Sequence, residues 1–337
     1  MINDNQTVSV SDFKDRTTGL VVFGILEIIL GTICALIVPL MIFSMFVSAG
    51  LHKGSTPPVG ASTMLPGILI YVLMAVWFIW MGIGSIKARR WARALWLVSS
   101  WFWLISGIMG LVFMLVFLPN MYDQMGKSGQ MTQQIVAIMK YTMIGFMVVF
   151  YVIIPGTLVF FYGSKHVKAT CERKDPKIRW TDRCPLPVLA VSLISGFSAA
   201  SILLMGFYGW TFPFFGLILT GIAGAGVAFV SMLLHGYVAW GTYRLSVKAW
   251  WCAVVLTIAW GISMGITFSR VTLMEFYEKM NFSAQLLENI KQFAQPASLM
   301  VQLSVLWFIV VLAYLLYTKK YFIPPTEQRS ILPGERI

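Results

Sequence analysis

The chain has 337 residues, of which 58% are hydrophobic and only 11% charged, and its mean hydropathy is +0.79. A soluble chain carries about 25% charged residues, so this balance excludes both an ordinary water-soluble domain and a disordered one. The formal charge of +12 invites a nucleic-acid reading, but the cations are confined to short segments between long apolar runs, and no nucleic-acid partner is expected.

A membrane-crossing helix needs about 20 apolar residues, because each residue rises about 1.5 Å through about 30 Å of hydrocarbon. Eight runs qualify: 19–47, 66–86, 92–118, 142–162, 187–208, 212–241, 249–270 and 299–317. They are continuous, whereas barrel strands alternate. The expectation is an all-α integral membrane protein with eight transmembrane helices in two tandem, same-orientation four-helix modules.

Residues 1–18 are polar and read as a cytosolic N-terminal arm. The run after them is too long for the apolar stretch of a cleavable signal peptide. Within the first run, Glu27 is the one acidic residue well inside a span. A charge at such depth costs about 2.5–3.5 kcal/mol on insertion scales, so Glu27 must face the bundle and find a partner. Pro39 and Pro155 sit inside spans, where each removes a backbone hydrogen bond. Between the third and fourth spans, Met131, Ile135 and Ile138 share one helical face. That spacing predicts an amphipathic helix at the outer interface. Phe282, Leu286, Ile290 and Phe293 predict its counterpart before the eighth span.

The linker 163–186 is the most polar stretch. Asp175-Pro176 and Cys184-Pro185-Leu186-Pro187 break any helix there. Trp180 lies between Arg179 and Arg183, a pattern suited to the headgroup region. The segment Trp180-Thr181-Asp182-Arg183-Cys184-Pro185-Leu186-Pro187-Val188-Leu189 resembles one found in uncharacterised bacterial multi-pass membrane proteins. That resemblance implies a bacterial membrane setting and brings no activity with it. His166, Cys171 and Cys184 match no usual zinc spacing, and neither metal nor cofactor is expected.

On the fifth span Ser192, Ser195, Ser198 and Ser201 follow at three-residue steps as a drifting polar ridge, either self-satisfied or lining an aqueous path. The sixth run is expected to begin as helix, with Pro213 in its first turn. His235 in that run lies at a depth similar to that of Glu27, so the two form a candidate intramembrane polar pair. Gly261 and Gly265 make a strict GxxxG, and Gly31-Ala35, Gly196-Ala200 and Gly221-Ala225 are looser versions. Such spacings let helix backbones touch in lipid, within a module or between copies.

A duplication ties these elements together. Tyr122-Asp123-Gln124-Met125 repeats as Tyr277-Glu278-Lys279-Met280, and Phe161-Tyr162 as Leu316-Tyr317. With gaps, Trp80 and Trp91 align with Trp240 and Trp251, and Trp103-x-Ile105-Ser106 with Trp260-x-Ile262-Ser263. A period this long means one unit made twice. The units are module 1 at 19–162 and module 2 at 187–320, joined by the linker 163–186 and followed by a cytosolic tail, 321–337. With both termini inside, nineteen of the 25 Lys and Arg residues fall on the cytosolic face, the asymmetry that orients membrane helices.

The functional expectation is a structural or interaction protein of a plasma (inner) membrane. Its partners are anionic lipid headgroups on the cytosolic face, a second copy or another membrane protein. Arg89, Arg90, Arg93, Trp180 and Arg183 are the expected headgroup contacts. The rival is a transporter or channel with a path between the modules near Glu27 and His235. Motifs for phosphate loops, nucleophilic serines or zinc peptidases are absent, so no enzyme is expected.

Overall fold

A computed structural model describes residues 13–51, 61–127, 132–280, 282, 286–288, 291 and 297–322. Eight helices are long and apolar enough to cross a membrane: Thr17–Val47, Met64–Ile86, Arg90–Leu115, Gln134–Gly163, Leu186–Tyr208, Gly221–Tyr243, Val247–Arg270 and Ser304–Phe322. The chain is a multi-pass helical membrane protein. Most large apolar side chains face outward, as lipid permits: Leu40, Phe43 and Phe46 are each more than 60% exposed.

The helices are α1 (Thr17–Leu51), α2 (Ala61–Ile86), α3 (Arg90–Lys127), α4 (Gln133–Val148), α5 (Ile154–Gly163), α6 (Lys165–Lys174), α7 (Leu186–Ile202), α8 (Gly221–Tyr243), α9 (Val247–Arg270), α10 (Leu273–Glu278) and α11 (Ala297–Thr318). A π-helical turn, Val149–Ile153, joins α4 to α5 into one rod. Pro155 lacks the N–H that would bond one turn back, so the widened turn precedes it. Gly107 of α3 packs on this site, where a Cβ would lie 2.5 Å from the Tyr151 carbonyl oxygen.

Two expectations need correction. The stretch around Ile135 and Ile138 is not a separate interfacial helix but the first turns of the fourth spanning rod, and Val136 packs there among Met114, Met143 and Ile144. Met131, Ile290 and Phe293 lie outside the described residues. The sixth run does not start as helix. Phe212–Phe214 (β1) and Leu217–Leu219 (β2) form an antiparallel hairpin with Pro213 opposite Ile218, and α8 begins only at Gly221. Phe215 and Gly216 both have positive φ, at 44° and 95°, as the two central residues of a type I′ turn require. Hydropathy cannot see this, because the hairpin is as apolar as a span.

Packing is closest where side chains are smallest. A Cβ on Gly24 of α1 would lie 2.8 Å from the Gly82 carbonyl oxygen of α2, and one on Gly82 would lie 2.7 Å from the oxygen of Gly24. In lipid such contact replaces the hydrophobic effect as the source of association. Gly261 meets Phe308 of α11 within the chain, so this half of the GxxxG packs intramolecularly, while a Cβ on Gly265 would meet nothing within 4 Å.

The turns α2–α3 and α8–α9 are built alike. In the first, Ala88 N–H donates to Ser85 O and Arg89 N–H to Gly84 O; in the second, Leu245 N–H donates to Thr242 O and Ser246 N–H to Gly241 O. Ala88 and Leu245 both have positive φ. Gly84 abuts Ala92 as Gly241 abuts Ala249. This register pairs Trp91 with Lys248, not Trp251, so the sequence alignment of these tryptophans slips by three residues. It agrees with the pairing of Ser106 and Ser263.

Each half has its own core near these turns. Leu20, Met81, Leu95, Tyr162 and Val167 fill one; Val188, Val238, Trp250, Leu315 and Phe322 fill the other. Ala94 of α3, Cys184 and Leu189 of α7 form a small cluster between them. Hydrogen bonds gather the helix ends at this level. Arg16 N–H donates to Thr170 Oγ1, Tyr243 OH to Trp180 O, Tyr314 OH to Pro187 O, and Trp250 Nε1–H to Leu315 O. We refer to this as the basic end.

Candidate functional site

Glu27 is the one acidic side chain in the eight spanning segments of the described residues, and the fold buries it to 3% exposure. Its Oε1 accepts from the Tyr162 hydroxyl at 2.8 Å, and that hydroxyl is also 2.8 Å from Ser85 Oγ. The Tyr162 ring stacks on Trp96 at 6.1 Å. Four elements therefore meet at one carboxyl: α1, α2, α3 and α5. Ser85 and the Trp96 Nε1–H also approach the carboxyl, but neither Oε2 nor Trp96 Nε1 makes a hydrogen bond of good geometry within the protein. The surround is the first hydrophobic core, so the group is held in a packed interior.

His235 is elsewhere. Its Nδ1 lies 2.8 Å from the Ser231 carbonyl of its own helix, and no ion pair among the described residues joins it to Glu27. The structure does not bring this expected pair together; Tyr162 takes the place assigned to His235. Of the serine ridge, Ser192 Oγ donates across to Ala239 O of α8 at 2.7 Å, while Ser201 Oγ returns to Phe197 O one turn back. Ser195 and Ser198 are half-buried. The first hydroxyl thus joins two helices and the last satisfies itself.

A second site lies at the basic end. Asp175 follows α6 with its side chain 2% exposed. Arg179 Nη2 donates to it at 2.6 Å and Arg179 Nε at 2.9 Å; Arg89 Nη1 and the Arg90 backbone N–H approach at 3.4 Å. Arg90 Nε also pairs with Asp182 at 3.1 Å and its Nη2 with Glu172 at 3.7 Å. Hydrogen bonding from Arg179 first, then the Arg90 N–H and the nearby guanidinium charges, hold the Asp175 carboxyl below the usual carboxylate range. Asp182 closes the loop by accepting from the Arg179 N–H at 2.9 Å. Burial pushes the Cys171 and Cys184 thiols up to about 11.

The expected headgroup contacts therefore divide. Arg89 and Arg90 are engaged by carboxylates, and Arg93 is half-buried with Nε unpartnered. Trp180 and Arg183 remain exposed, together with Lys177 and Ile178; Ile178 is 76% exposed. Sequence reasoning missed Tyr162 and Asp175. Asp175 was legible only as a helix breaker before Pro176, though its position among arginines was a usable signal. Tyr162 lies 135 residues from Glu27 and nothing local announces the contact. Comparison with family models, with curated proteins and with solved structures yields no match.

Proposed function

We propose that this chain is an interaction protein of a plasma membrane, made of two tandem four-helix modules of the same orientation, which binds anionic lipid headgroups at its cytosolic, basic end. The observation that carries the reading is the loop 175–183. The buried Asp175 pins it from within, while its outer surface offers Ile178 and Trp180 beside Lys177 and Arg183. Large apolar side chains exposed on an ordered loop and rimmed by cations suit the headgroup region. The matched turns and the two cores at one end support the duplication. Two hydrogen bonds support like orientation: Arg16, at the start of α1, bonds Thr170 of α6, which directly follows α5, and Tyr314, near the end of α11, bonds Pro187 at the start of α7, so each module begins and ends at one level.

A path between modules through Glu27 and His235 is the rival reading. Glu27 enclosed by Tyr162, Ser85 and Trp96 supports an anchor over a relay.

The test is native mass spectrometry of the protein released from nanodiscs containing equal phosphatidylglycerol and phosphatidylcholine. Wild type should retain the anionic lipid preferentially. Each Lys or Arg near a charged surface contributes about 1 kcal/mol, so the double variant Lys177→Gln and Arg183→Gln should lose about thirtyfold of that preference. An unchanged lipid ratio would overturn the proposal. Proton flux into liposomes that disappears in Glu27→Gln would favour the transporter.

A further inference from the structure

A pocket of about 290 Å³ opens between α8, α9 and the hairpin, walled by Phe214, Phe215, Val230, Leu256 and Trp260. It lies away from the basic end, on the half of α9 that leads to Arg270. Its lining is almost wholly apolar, and its size is near the lower bound of about 300 Å³ for small-ligand clefts. That room suits one hydrocarbon chain, not a whole lipid.

The roof is unusual backbone for this setting. A hairpin tip beside hydrocarbon must satisfy its N–H groups internally. Phe215 N–H donates to Ser263 Oγ at 3.0 Å, and Gly216 N–H to Thr267 Oγ1 at 3.0 Å. Both hydroxyls belong to α9, which thereby fixes the turn over the pocket and holds Phe215 at positive φ. Such strained positions collect where the surroundings over-determine them.

Arg270 supplies the polar end. Its side chain lies along the hairpin tip, so that a Cβ on Gly216 would meet its Nη1 at 3.1 Å. Among the described residues it pairs with no carboxylate, although α10 carries Glu275 and Glu278 nearby. Ser263, at the upper edge of the pocket, is seven residues before Arg270, or about 10 Å along the helix. The Arg270 side chain folds back from there to the hairpin tip, so its cation stands at the roof of the apolar slot beside Phe215, and a cation at the end of an apolar slot matches the layout of a phospholipid.

From this juxtaposition we propose that the α8–α9 groove is a binding site for one acyl chain of an anionic phospholipid, with its phosphate on Arg270, in the leaflet at the Arg270 end. This site is independent of the headgroup surface at the basic end.

The test uses the full chain in nanodiscs containing phosphatidylglycerol with a photoactivatable diazirine in its acyl chain, followed by mapping of the adducts. Adducts should concentrate on Val230, Leu256 and Trp260, at least tenfold above lipid-facing Leu26 and Phe43. Gly226 lines the pocket and its Cβ would meet nothing within 4 Å. Gly226→Leu should therefore fill the slot without a backbone clash, keep the thermal midpoint and abolish the concentrated labelling. Arg270→Gln leaves the slot intact and should lower labelling about fivefold, the equivalent of about 1 kcal/mol. Labelling spread evenly over all lipid-facing helices would overturn the proposal. So would pocket labelling indifferent to Gly226→Leu, or labelling by a diazirine fatty acid in place of the phospholipid.

Discussion

Replacing Tyr162 with Phe isolates the intramembrane cluster, because the ring and its stacking on Trp96 stay while one hydroxyl goes. Two hydrogen bonds are lost, to Glu27 and to Ser85, both 2.8 Å long. The Ser85 bond is between neutral hydroxyls in a membrane bundle, where measured couplings average about 0.6 kcal/mol. The Glu27 bond matters more. Its Oε2 already makes no hydrogen bond of good geometry, so the variant strands the carboxyl in a packed core. Stranding a buried polar group costs about 1–3 kcal/mol. The sum is about 1.5–3.5 kcal/mol. Removing Glu27 first, as Glu27→Leu, should reduce the cost of Tyr162→Phe to the Ser85 contribution alone. The assay is reversible unfolding in mixed micelles, followed by tryptophan fluorescence, on the four members of this cycle. A coupling below about 0.5 kcal/mol, the usual limit of additivity for independent sites, would refute the claim that Tyr162 is the anchor of Glu27. So would a wild-type midpoint for Tyr162→Phe.

Other outcomes follow from the basic end. Asp175→Ala removes a carboxylate that is almost fully buried; breaking such a pair costs about 3–5 kcal/mol when both charges are buried, and the partly exposed arginines reduce this to about 2–3 kcal/mol. Trypsin cleavage after Lys177 and Arg179 should accelerate by at least tenfold, and an unchanged rate would count against the pinned loop. Since the folded-state Asp175 carboxyl titrates below its ordinary value, its stabilisation is present above the ordinary carboxylate range and fades as pH falls through the lowered value; protection of the loop amides, taken relative to the intrinsic exchange rate at each pH, should fall there and not near neutrality. Cys171 and Cys184, with thiols pushed up to about 11, should alkylate at pH 8 about two orders of magnitude more slowly than unfolded cysteine, because only the thiolate reacts; equal rates before and after unfolding in SDS would contradict their burial.

Composition and hydropathy determined the membrane setting and the eight crossings by themselves, because span length is a one-dimensional property of the chain: about 20 apolar residues either follow one another or do not. The tryptophans pointed to the two turns that prove to be built alike, α2–α3 and α8–α9, although matching those tryptophans shifts the register of the turns by three residues. The need for Glu27 to have a partner could be read from its depth; the identity of that partner could not. Tyr162 and Glu27 meet because α1 and α5 pack around the same core, and such long-range contact leaves no local pattern. Likewise Asp175 becomes a staple only when the α2–α3 turn delivers Arg89 and Arg90 to it. The hairpin over the α8–α9 pocket shows the limit most clearly. Phe212 to Leu219 is apolar enough to extend a span, and only the tertiary hydroxyls of Ser263 and Thr267 make a strained turn the better home for its backbone.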